Sequence, residues 1–330
     1  MLKNPDTADC GYKIYHTGKM TMTTQDCRPK DCRSDGEGRI KCATVSAADV
    51  DAVISSYEKY FGYRVIDQGQ VSPSQATAWG TPAMAGSRQV IMGPESGSEV
   101  YIRIVENEGL PAYEPLKTYG WNAIEITVRD VEALHENLKQ SPFEIVGEPT
   151  YLDFSDKIYP MQAVGLADEL FYLNQVRGNL PDYDLPMARS FVDHTFIMVL
   201  ATPDMDEAIK FYVDNFGWDQ GNAYFVKYSV INEAFNLPEE TPHHLSMTCN
   251  GRIVNNEIDQ YPPETIERPC APGKLAPGIA MTSFIVDDLD RVKADMITAP
   301  VRLDMAPYHG RRSACCVGNA DELIELIEAT

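Results

Sequence analysis

The sequence has few basic residues and no long apolar run, and both shortages limit what the protein can bind. Lys and Arg total 28 against 49 Asp and Glu, which gives a formal net charge of −21. That charge would repel the phosphate backbone of a nucleic acid and the anionic surface of a membrane. No apolar run reaches the roughly 18 residues that a membrane-spanning helix needs. We therefore expect neither nucleic acid nor a membrane as a partner.

The sequence also lacks the paired cysteines and histidines of a structural zinc site. Cys27 and Cys32 are separated by four residues, and Cys315 is followed directly by Cys316. Neither arrangement is joined by a second Cys or His pair at zinc-site spacing. No charged segment followed by an apolar one opens the chain, so no secretory signal is predicted. We expect a cytoplasmic protein with reduced thiols.

An internal repeat runs through most of the chain. The phrase Gly165–Leu173 returns, with few changes, as Gly318–Leu326, an offset of 318 − 165 = 153. Phe61 and Phe216, each followed by glycine, are offset by 216 − 61 = 155. A nearly constant offset predicts a duplication.

Each half of the repeat divides again into a strand, a helix and further strands. The spacing of apolar residues predicts four helices, each after a strand, at 49–61, 131–138, 205–216 and 289–296. Four βαβββ units in two pairs follow from this pattern. The predicted ranges are an N-terminal extension at 1–38, an N-terminal module at 39–176, a linker at 177–190 and a C-terminal module at 191–330.

The strand phrases resemble a known family. Val192–Val199 is followed by an amphipathic helix that ends near Trp218, and together with Gly318–Glu328 it is similar to the vicinal oxygen chelate superfamily. That superfamily includes glyoxalase I, extradiol dioxygenases and bleomycin-resistance proteins. The resemblance covers residues 39–330 and implies an α+β fold, in which the four βαβββ units form two tandem cupped-sheet modules of the glyoxalase type. It does not fix the reaction, because one scaffold supports many chemistries.

The resemblance also implies a divalent metal ion inside a cup, bound by the first and last strands of each unit. The ligand positions of the C-terminal module are His194, Glu257, Met281 and Glu325. We expect the imidazole and the two carboxylates to bind the ion, which can be Zn, Mn, Fe, Ni or Mg. The N-terminal module has an arginine in place of a carboxylate, so its site is expected to be degenerate: its positions hold Cys42, Arg103, Ala123 and Tyr172.

The alternation of side chains along the strands agrees with this site. Glu325 shares a strand face with Leu323 and Ile327. A carboxylate among apolar neighbours is costly to bury unless a cation or hydrogen bonds compensate it. A metal ion would also offset the repulsion between Glu325 and Glu257.

Further residues are expected to bind the substrate or to move protons. His194 shares a face with Phe196 and Met198, and these two with Met281 are the expected apolar lining of the substrate pocket. His244 and His309 are candidates for acid-base catalysis.

These residues favour a metal-dependent lyase or isomerase that acts on a small or medium carbonyl, hydroxy-carbonyl or phenolic compound by Lewis-acid-assisted proton transfer. Met281, where a second His should lie, argues against an extradiol iron site. Three alternatives stay open: an extradiol-type dioxygenase with an altered ligand set, a metal-free enzyme with His194 as base, and a non-catalytic protein that sequesters a ligand. The expected partner is a small-molecule substrate, and a homodimer is a further open alternative.

Overall fold

The computed structural model describes residues 38–152 and 154–330, so the predicted extension lies outside the described residues except for Gly38. The described residues form an α+β fold of four successive units, and the prediction of this fold class is confirmed. No helix among them is both long enough and apolar enough to cross a membrane.

The first two units contain eight strands and three helices. The elements of the first unit are β1 (Ile40–Ala47), α1 (Val50–Ser56), β2 (Arg64–Gln70), α2 (Pro73–Ala78), β3 (Arg88–Gly93) and β4 (Tyr101–Glu106). The helix α1 continues as a π-helical turn over Tyr57–Phe61 and stops at Gly62, which has a left-handed φ of 71°. The elements of the second unit are β5 (Gly120–Val128), α3 (Val131–Leu138), β6 (Glu144–Gly147), β7 (Ile158–Val164) and β8 (Leu170–Val176).

The third unit follows the same order, and the fourth departs from it. The elements of the third unit are β9 (Val192–Thr202), α4 (Met205–Phe216), β10 (Asp219–Lys227), α5 (Ser229–Ala234), β11 (Pro242–Asn250) and β12 (Ile253–Gln260). The strands of the fourth are β13 (Gly278–Val286), β14 (Val301–Arg302), β15 (Arg312–Val317) and β16 (Leu323–Glu328).

The predicted helix at 289–296 is wrong beyond its first turn. Only a 3-10 turn forms, at Leu289–Arg291. Val292, Ala294 and Met296 pack against the core, and their spacing of two residues is that of an extended segment rather than a helix.

An aspartate caps the first helical turn in every unit. Asp49, Asp130, Asp204 and Asp288 each accept a hydrogen bond from a backbone N–H two or three residues later. Such a cap satisfies a donor that the turn itself leaves unpaired. These four aspartates therefore mark equivalent positions in the four units.

The units pair in an order that the repeat alone does not reveal. One eight-stranded sheet has the order β14-β15-β16-β13-β1-β4-β3-β2, and the other has the order β10-β11-β12-β9-β5-β8-β7-β6. The first joins units one and four and is called the terminal cup. The second joins units two and three and is called the central cup. The expectation that the C-terminal module closes a cup of its own is therefore wrong.

The repeated phrase links the units that follow each other in the chain. Tyr57 of unit one donates a hydrogen bond to Glu169 of unit two at 2.6 Å, and Tyr212 of unit three donates one to Glu322 of unit four at 2.8 Å. Burial raises the pKa of both glutamates to about 7. The glycine four residues before each glutamate cannot be replaced freely, because a Cβ there would lie 1.9 Å from a glutamate oxygen.

A single cluster of buried apolar residues connects all four units. It contains side chains from α1, α3 and α4 and from the strands of both cups, among them Tyr57, Trp121, Tyr212 and Phe284. The opposite face of each sheet is left for the interior of its cup.

Candidate active site

Four equivalent positions in each cup follow from the caps, the strand pairing and the repeated phrase. Cys42 lies seven residues before the cap Asp49, and Ile197 lies seven residues before the cap Asp204. The predicted equivalence of Cys42 with His194 is therefore wrong, since Ile197 is its true counterpart.

The remaining positions follow in the same way. Glu125 and Ser283 each lie five residues before their caps, and Tyr172 and Glu325 occupy the same place in the repeated phrase. In the last strands of units one and three, Arg103 pairs with Thr44 of β1 and Glu257 pairs with Val199 of β9. The terminal cup thus holds Cys42, Ser283, Arg103 and Glu325, and the central cup holds Ile197, Glu125, Glu257 and Tyr172.

The terminal cup contains a buried ion pair. Arg103 Nη2 lies 3.1 Å from Glu325 Oε2, and both side chains are fully buried. Trp79 Nε1 and the Tyr308 hydroxyl donate to Glu325 Oε1 at 2.8 and 2.6 Å, and Ser283 donates to Oε2. The Arg103 guanidinium carbon lies 5.0 Å from the Trp79 ring centroid and 5.2 Å from that of Tyr308, within the range of cation–π attraction.

These contacts do not fit a divalent metal ion in the terminal cup. The guanidinium already supplies the positive charge beside Glu325. Burial lowers the pKa of Arg103, but the charges of Glu325, Tyr308 and Cys42 and the hydrogen bond to Glu325 together raise it. The expectation that Arg103 and Tyr172 belong to one degenerate site is also wrong, because Tyr172 lies in the central cup. Burial raises the pKa of the Cys42 thiol to about 11, so it stays protonated at neutral pH.

The central cup brings together three carboxylates without such a cation. Glu125 comes from β5, and Glu257 and Asp259 lie on the same face of β12. All three are at least nine-tenths buried. Burial and the charge of Glu257 raise the pKa of Glu125 well above its usual range, and the same two causes act on Asp259. Burial also raises the pKa of Glu257.

Hydrogen bonds distinguish the three carboxyl groups. Asn174 Nδ2 donates to Glu125 Oε2 at 2.9 Å, and the Tyr228 hydroxyl donates to Glu257 Oε1 at 2.6 Å. Neither oxygen of Asp259 accepts a hydrogen bond from a donor group in the described part of the chain. A hydrogen bond between Asp259 and Glu257 therefore requires that one of the two carboxyl groups carry a proton.

A cavity of about 80 Å³ opens onto two of these carboxylates. Glu125, Glu257, Tyr172 and Tyr228 line its polar side. Its other walls are aromatic and aliphatic, and include Leu152, Phe154, Tyr183, Phe196, Tyr224 and Met247. The Tyr172 hydroxyl has no hydrogen-bond partner among the described residues, so it is free to donate to a bound molecule.

The three predicted metal ligands lie in three different places. Glu257 is in the central cup and Glu325 is in the terminal cup. His194 lies in neither: its Nδ1 is 3.0 Å from Asp193 Oδ1, and it lines a separate cleft that also contains Lys41 and Arg189. The predicted His-Glu-Glu set is therefore wrong as a set, because the sheet order separates its members.

The other predicted residues are similarly dispersed. Phe196 lines the cavity of the central cup, whereas Met198 packs in the core shared by all units and Met281 packs in the terminal cup beside Trp79. The predicted common pocket for these three side chains is therefore wrong.

The two further histidines do not enter a cup. His244 stacks on Phe225 with ring centroids 4.5 Å apart, on the strand face opposite to the cavity-lining Leu245 and Met247. His309 is exposed in a turn, with a left-handed φ of 51°. Their predicted role in acid-base catalysis has no support in this geometry.

The central cup does not fit the predicted divalent ion either, although its donors are of the right kind. Its donors are oxygen atoms, which suit hard cations. However, within residues 38–152 and 154–330 no group of three His, Cys, Asp or Glu side chains is arranged to hold a metal ion. The residues of neither cup thus fit the ion that the sequence implies.

Sequence reasoning missed Glu125, Asp259 and Tyr228. Asp259 lies on a strand with several polar residues, a pattern typical of solvent exposure, yet it is fully buried. Glu125 had a usable signal, because it precedes the cap Asp130 by the same five residues that separate Ser283 from Asp288. Nothing in the repeat marks Tyr228, which reaches Glu257 from the turn before α5.

Comparison with known proteins gives a consistent family and fold. The model of the Glyoxalase/Bleomycin resistance protein/Dioxygenase superfamily matches residues 39–159 and 192–314. A structure of glyoxalase I from Zea mays has a TM-score of 0.59 and 17% identity, over 88% of this chain and 92% of that one. A putative dioxygenase from Bacillus subtilis has a TM-score of 0.57 and 10% identity, over 88% and 84% of the two chains. At these identities the structures show the fold alone. The search among curated proteins found no match.

Proposed function

Since the chain belongs to the Glyoxalase/Bleomycin resistance protein/Dioxygenase superfamily, we propose that it is a lyase or isomerase whose active site is the central cup. Its reaction is proton transfer at a carbon next to a carbonyl, or on a phenolic compound. The observation that carries this proposal is the group of three buried carboxylates, two of which line an apolar cavity. Paired groups whose pKa values differ provide an acid and a base at the same pH.

Glu257 is the proposed base. It lines the cavity, and the hydrogen bond from Tyr228 favours its ionised form. Asp259, whose pKa lies well above its usual range, holds the proton that the two carboxyl groups share. Glu257 then takes a proton from the substrate carbon, and the unpartnered Tyr172 hydroxyl donates a hydrogen bond to the oxygen that gains negative charge. For a hydroxy-carbonyl substrate, Glu257 returns the proton to the former carbonyl carbon while the hydroxyl proton passes to the former carbonyl oxygen, which gives an isomer with atoms and charge balanced.

The apolar walls exclude water from this reaction. Phe154 and Leu152 reach the cavity from the segment between β6 and β7, and Tyr183 reaches it from the segment between β8 and β9. A dry cavity strengthens the hydrogen bond from Tyr172.

Hydrogen–deuterium exchange tests the proposed proton transfer directly. The protein is incubated in D₂O with hydroxyacetone, phenylpyruvate or 2-aminoacetophenone, and exchange at the carbon next to the carbonyl is followed by NMR. We expect catalysed exchange that falls at least 100-fold in Glu257→Gln, since general base catalysis contributes about 10²–10⁴-fold. Glu264→Gln, which changes an exposed carboxylate outside the cavity, is the matched control and should exchange at the wild-type rate.

Unchanged exchange in Glu257→Gln would overturn the assignment of the base. Exchange should also survive dialysis against EDTA, because the guanidinium of Arg103 already neutralises the terminal cup and the carboxyl groups of the central cup share protons. Loss of exchange that one divalent ion restores would show instead that the carboxylates hold that ion.

A non-catalytic ligand-binding protein is the second candidate, and the largely apolar lining of the cavity favours it. Saturable binding of a probe that depends on Glu257, without any exchange in D₂O, would favour this candidate over the enzyme.

A further inference from the structure

Equivalent positions of the two cups carry side chains of opposite charge. Arg103 of the terminal cup and Glu257 of the central cup are equivalent residues on equivalent strands. The terminal cup therefore contains an organic cation of its own, held between the Trp79 and Tyr308 rings and against Glu325. The central cup also contains carboxylates and aromatic rings. At the position of the Arg103 cation, however, it has the carboxylate of Glu257.

We propose that the molecule bound in the central cup carries an amine, amidine or guanidine group, whose positive charge lies among Glu125, Glu257 and Tyr172. This inference rests on the proposed site and names the class of its substrate. In this proposal the cationic group of the ligand occupies a place in the central cup like that of the Arg103 guanidinium in the terminal cup.

The surroundings of the carboxylates support a cation from outside. The titratable groups that interact electrostatically within the cluster are Glu125 of β5, Tyr172 of β8, Glu257 and Asp259 of β12, Tyr228 before α5, and Tyr261. No lysine or arginine in the described ranges is among the groups that shift these pKa values.

An unpartnered hydroxyl in the cavity points to a missing ligand. The Tyr172 hydroxyl lines the cavity, is more than nine-tenths buried and has no hydrogen-bond partner in the described part of the chain. The Tyr172 and Tyr228 rings, with centroids 6.3 Å apart, line the cavity beside Glu257. Carboxylates next to aromatic faces are the usual surroundings of a bound organic cation.

Charge and volume are consistent with this ligand. The net charge of −21 attracts cations over a distance and raises their concentration at the surface. A cavity of about 80 Å³ accommodates a small cationic group rather than a large ring system.

Binding of such a group should release a proton. The pKa values of Glu125 and Asp259 lie well above their usual range, so burial favours the protonated form of these two groups. A monocation that enters the cluster replaces one of these protons, which Glu125 loses to solvent, while Asp259 keeps its own. Affinity for the cation should therefore rise with pH.

Matched pairs of charged and neutral ligands test this inference. Acetamidine is compared with acetamide, and benzamidine with benzamide, by isothermal titration calorimetry at pH 6 and pH 8 in two buffers of different ionisation enthalpy. We expect the amidine to bind at least tenfold more tightly than the amide at pH 8, with a smaller preference at pH 6 and with proton release. Glu257→Gln and Glu125→Gln should each weaken amidine binding at least tenfold, and Glu264→Gln should not.

The controls separate this inference from the proposed function. Circular dichroism verifies that each variant is folded, and the pH series on the wild-type protein does not depend on any variant. Equal affinity for amide and amidine, without proton release, would overturn the cationic ligand. Exchange of a neutral ketone in D₂O that still depends on Glu257 would then leave the proton-transfer function standing.

Discussion

The terminal and central cups start from one duplicated fold and balance buried charge in different ways. In the terminal cup a guanidinium faces Glu325, and four side chains bind the carboxylate. In the central cup Glu257 faces two further carboxyl groups, and protons take the place of the cation. The buried ion pair of the terminal cup is held by the hydrogen bonds to Glu325, so its side chains keep one arrangement. The carboxyl groups of the central cup share protons, and they can give a proton to a ligand or take one from it. The comparison supports the proposal that the central cup, rather than the terminal cup, is the active site.

The largest change in the free energy of unfolding is expected from Arg103→Met in the terminal cup. This change leaves Glu325 buried without its cation, which typically costs about 3–5 kcal/mol in the free energy of unfolding. Urea denaturation measures the loss. The double variant Arg103→Met, Glu325→Leu removes both charges and should recover most of it. A loss below about 1 kcal/mol in the single variant would contradict a structural role for this ion pair.

A pair of tyrosine variants compares equivalent chemistry in the two cups. The Tyr308 hydroxyl donates to Glu325, so Tyr308→Phe should cost about 1.5–3 kcal/mol, as for a hydrogen bond to a charged group. The Tyr172 hydroxyl has no partner among the described residues, so Tyr172→Phe should change the free energy of unfolding by less than about 0.5 kcal/mol while slowing exchange in D₂O. Equal losses in both variants would show that the Tyr172 hydroxyl has a structural partner.

The tyrosine–glutamate links shared by both halves should show no such contrast. Tyr57→Phe and Tyr212→Phe should cost the same, about 1.5 kcal/mol at pH 8, because each removes a hydrogen bond to an ionised glutamate. The pKa of both glutamates is raised from 4.5 to about 7 by burial. Their contribution to stability is thus complete below pH 4.5 and is lost as the pH rises through 7.

Denaturation of both variants and the wild type between pH 5 and pH 8 measures these effects. The cost of each substitution should be smaller at pH 5, where the glutamates are protonated. A cost confined to one of the two variants would mean that the repeated phrase has different roles in the two halves.

The sequence was sufficient to predict the fold class and the units, but not how the units pair. The repeated phrase and the helix spacing identify four βαβββ units, and the Glyoxalase/Bleomycin resistance protein/Dioxygenase superfamily model matches both halves. Each unit begins with a strand of similar character, so the local pattern does not reveal whether β13 pairs with β9 or with β1. The observed pairing of β13 with β1 and of β9 with β5 moves Glu325 away from Glu257.

The site was predicted in part for the same reason. Glu257, a predicted ligand, lines the cavity of the central cup, where Glu125 and Tyr172 reach it from the other half of the chain. The cap spacing would have indicated Glu125, whereas the burial of Asp259 depends on the packing of β12 against its neighbours. A charged residue on a strand with several polar neighbours is ordinarily exposed, so its burial could not be read from that pattern.

The smallest change in the free energy of unfolding is expected from Asp259→Asn in the central cup. It should be a gain in stability, whereas Arg103→Met causes a loss. Asp259→Asn removes one of three buried acidic groups and leaves an amide that can donate to Glu257. Burial and the charge of Glu257 raise the pKa of Asp259, so in the wild type this group destabilises the fold as the pH rises above its ordinary value near 4. We expect the variant to be more stable than the wild type by about 1 kcal/mol at pH 8, the low end of what replacing buried charges gives. The gain should vanish near pH 4, where Asp259 is protonated in the folded and unfolded chains alike, and urea denaturation at both pH values measures it. A loss of stability at pH 8 close to that of Arg103→Met would mean that a bound cation, and not shared protons, holds the central cup together.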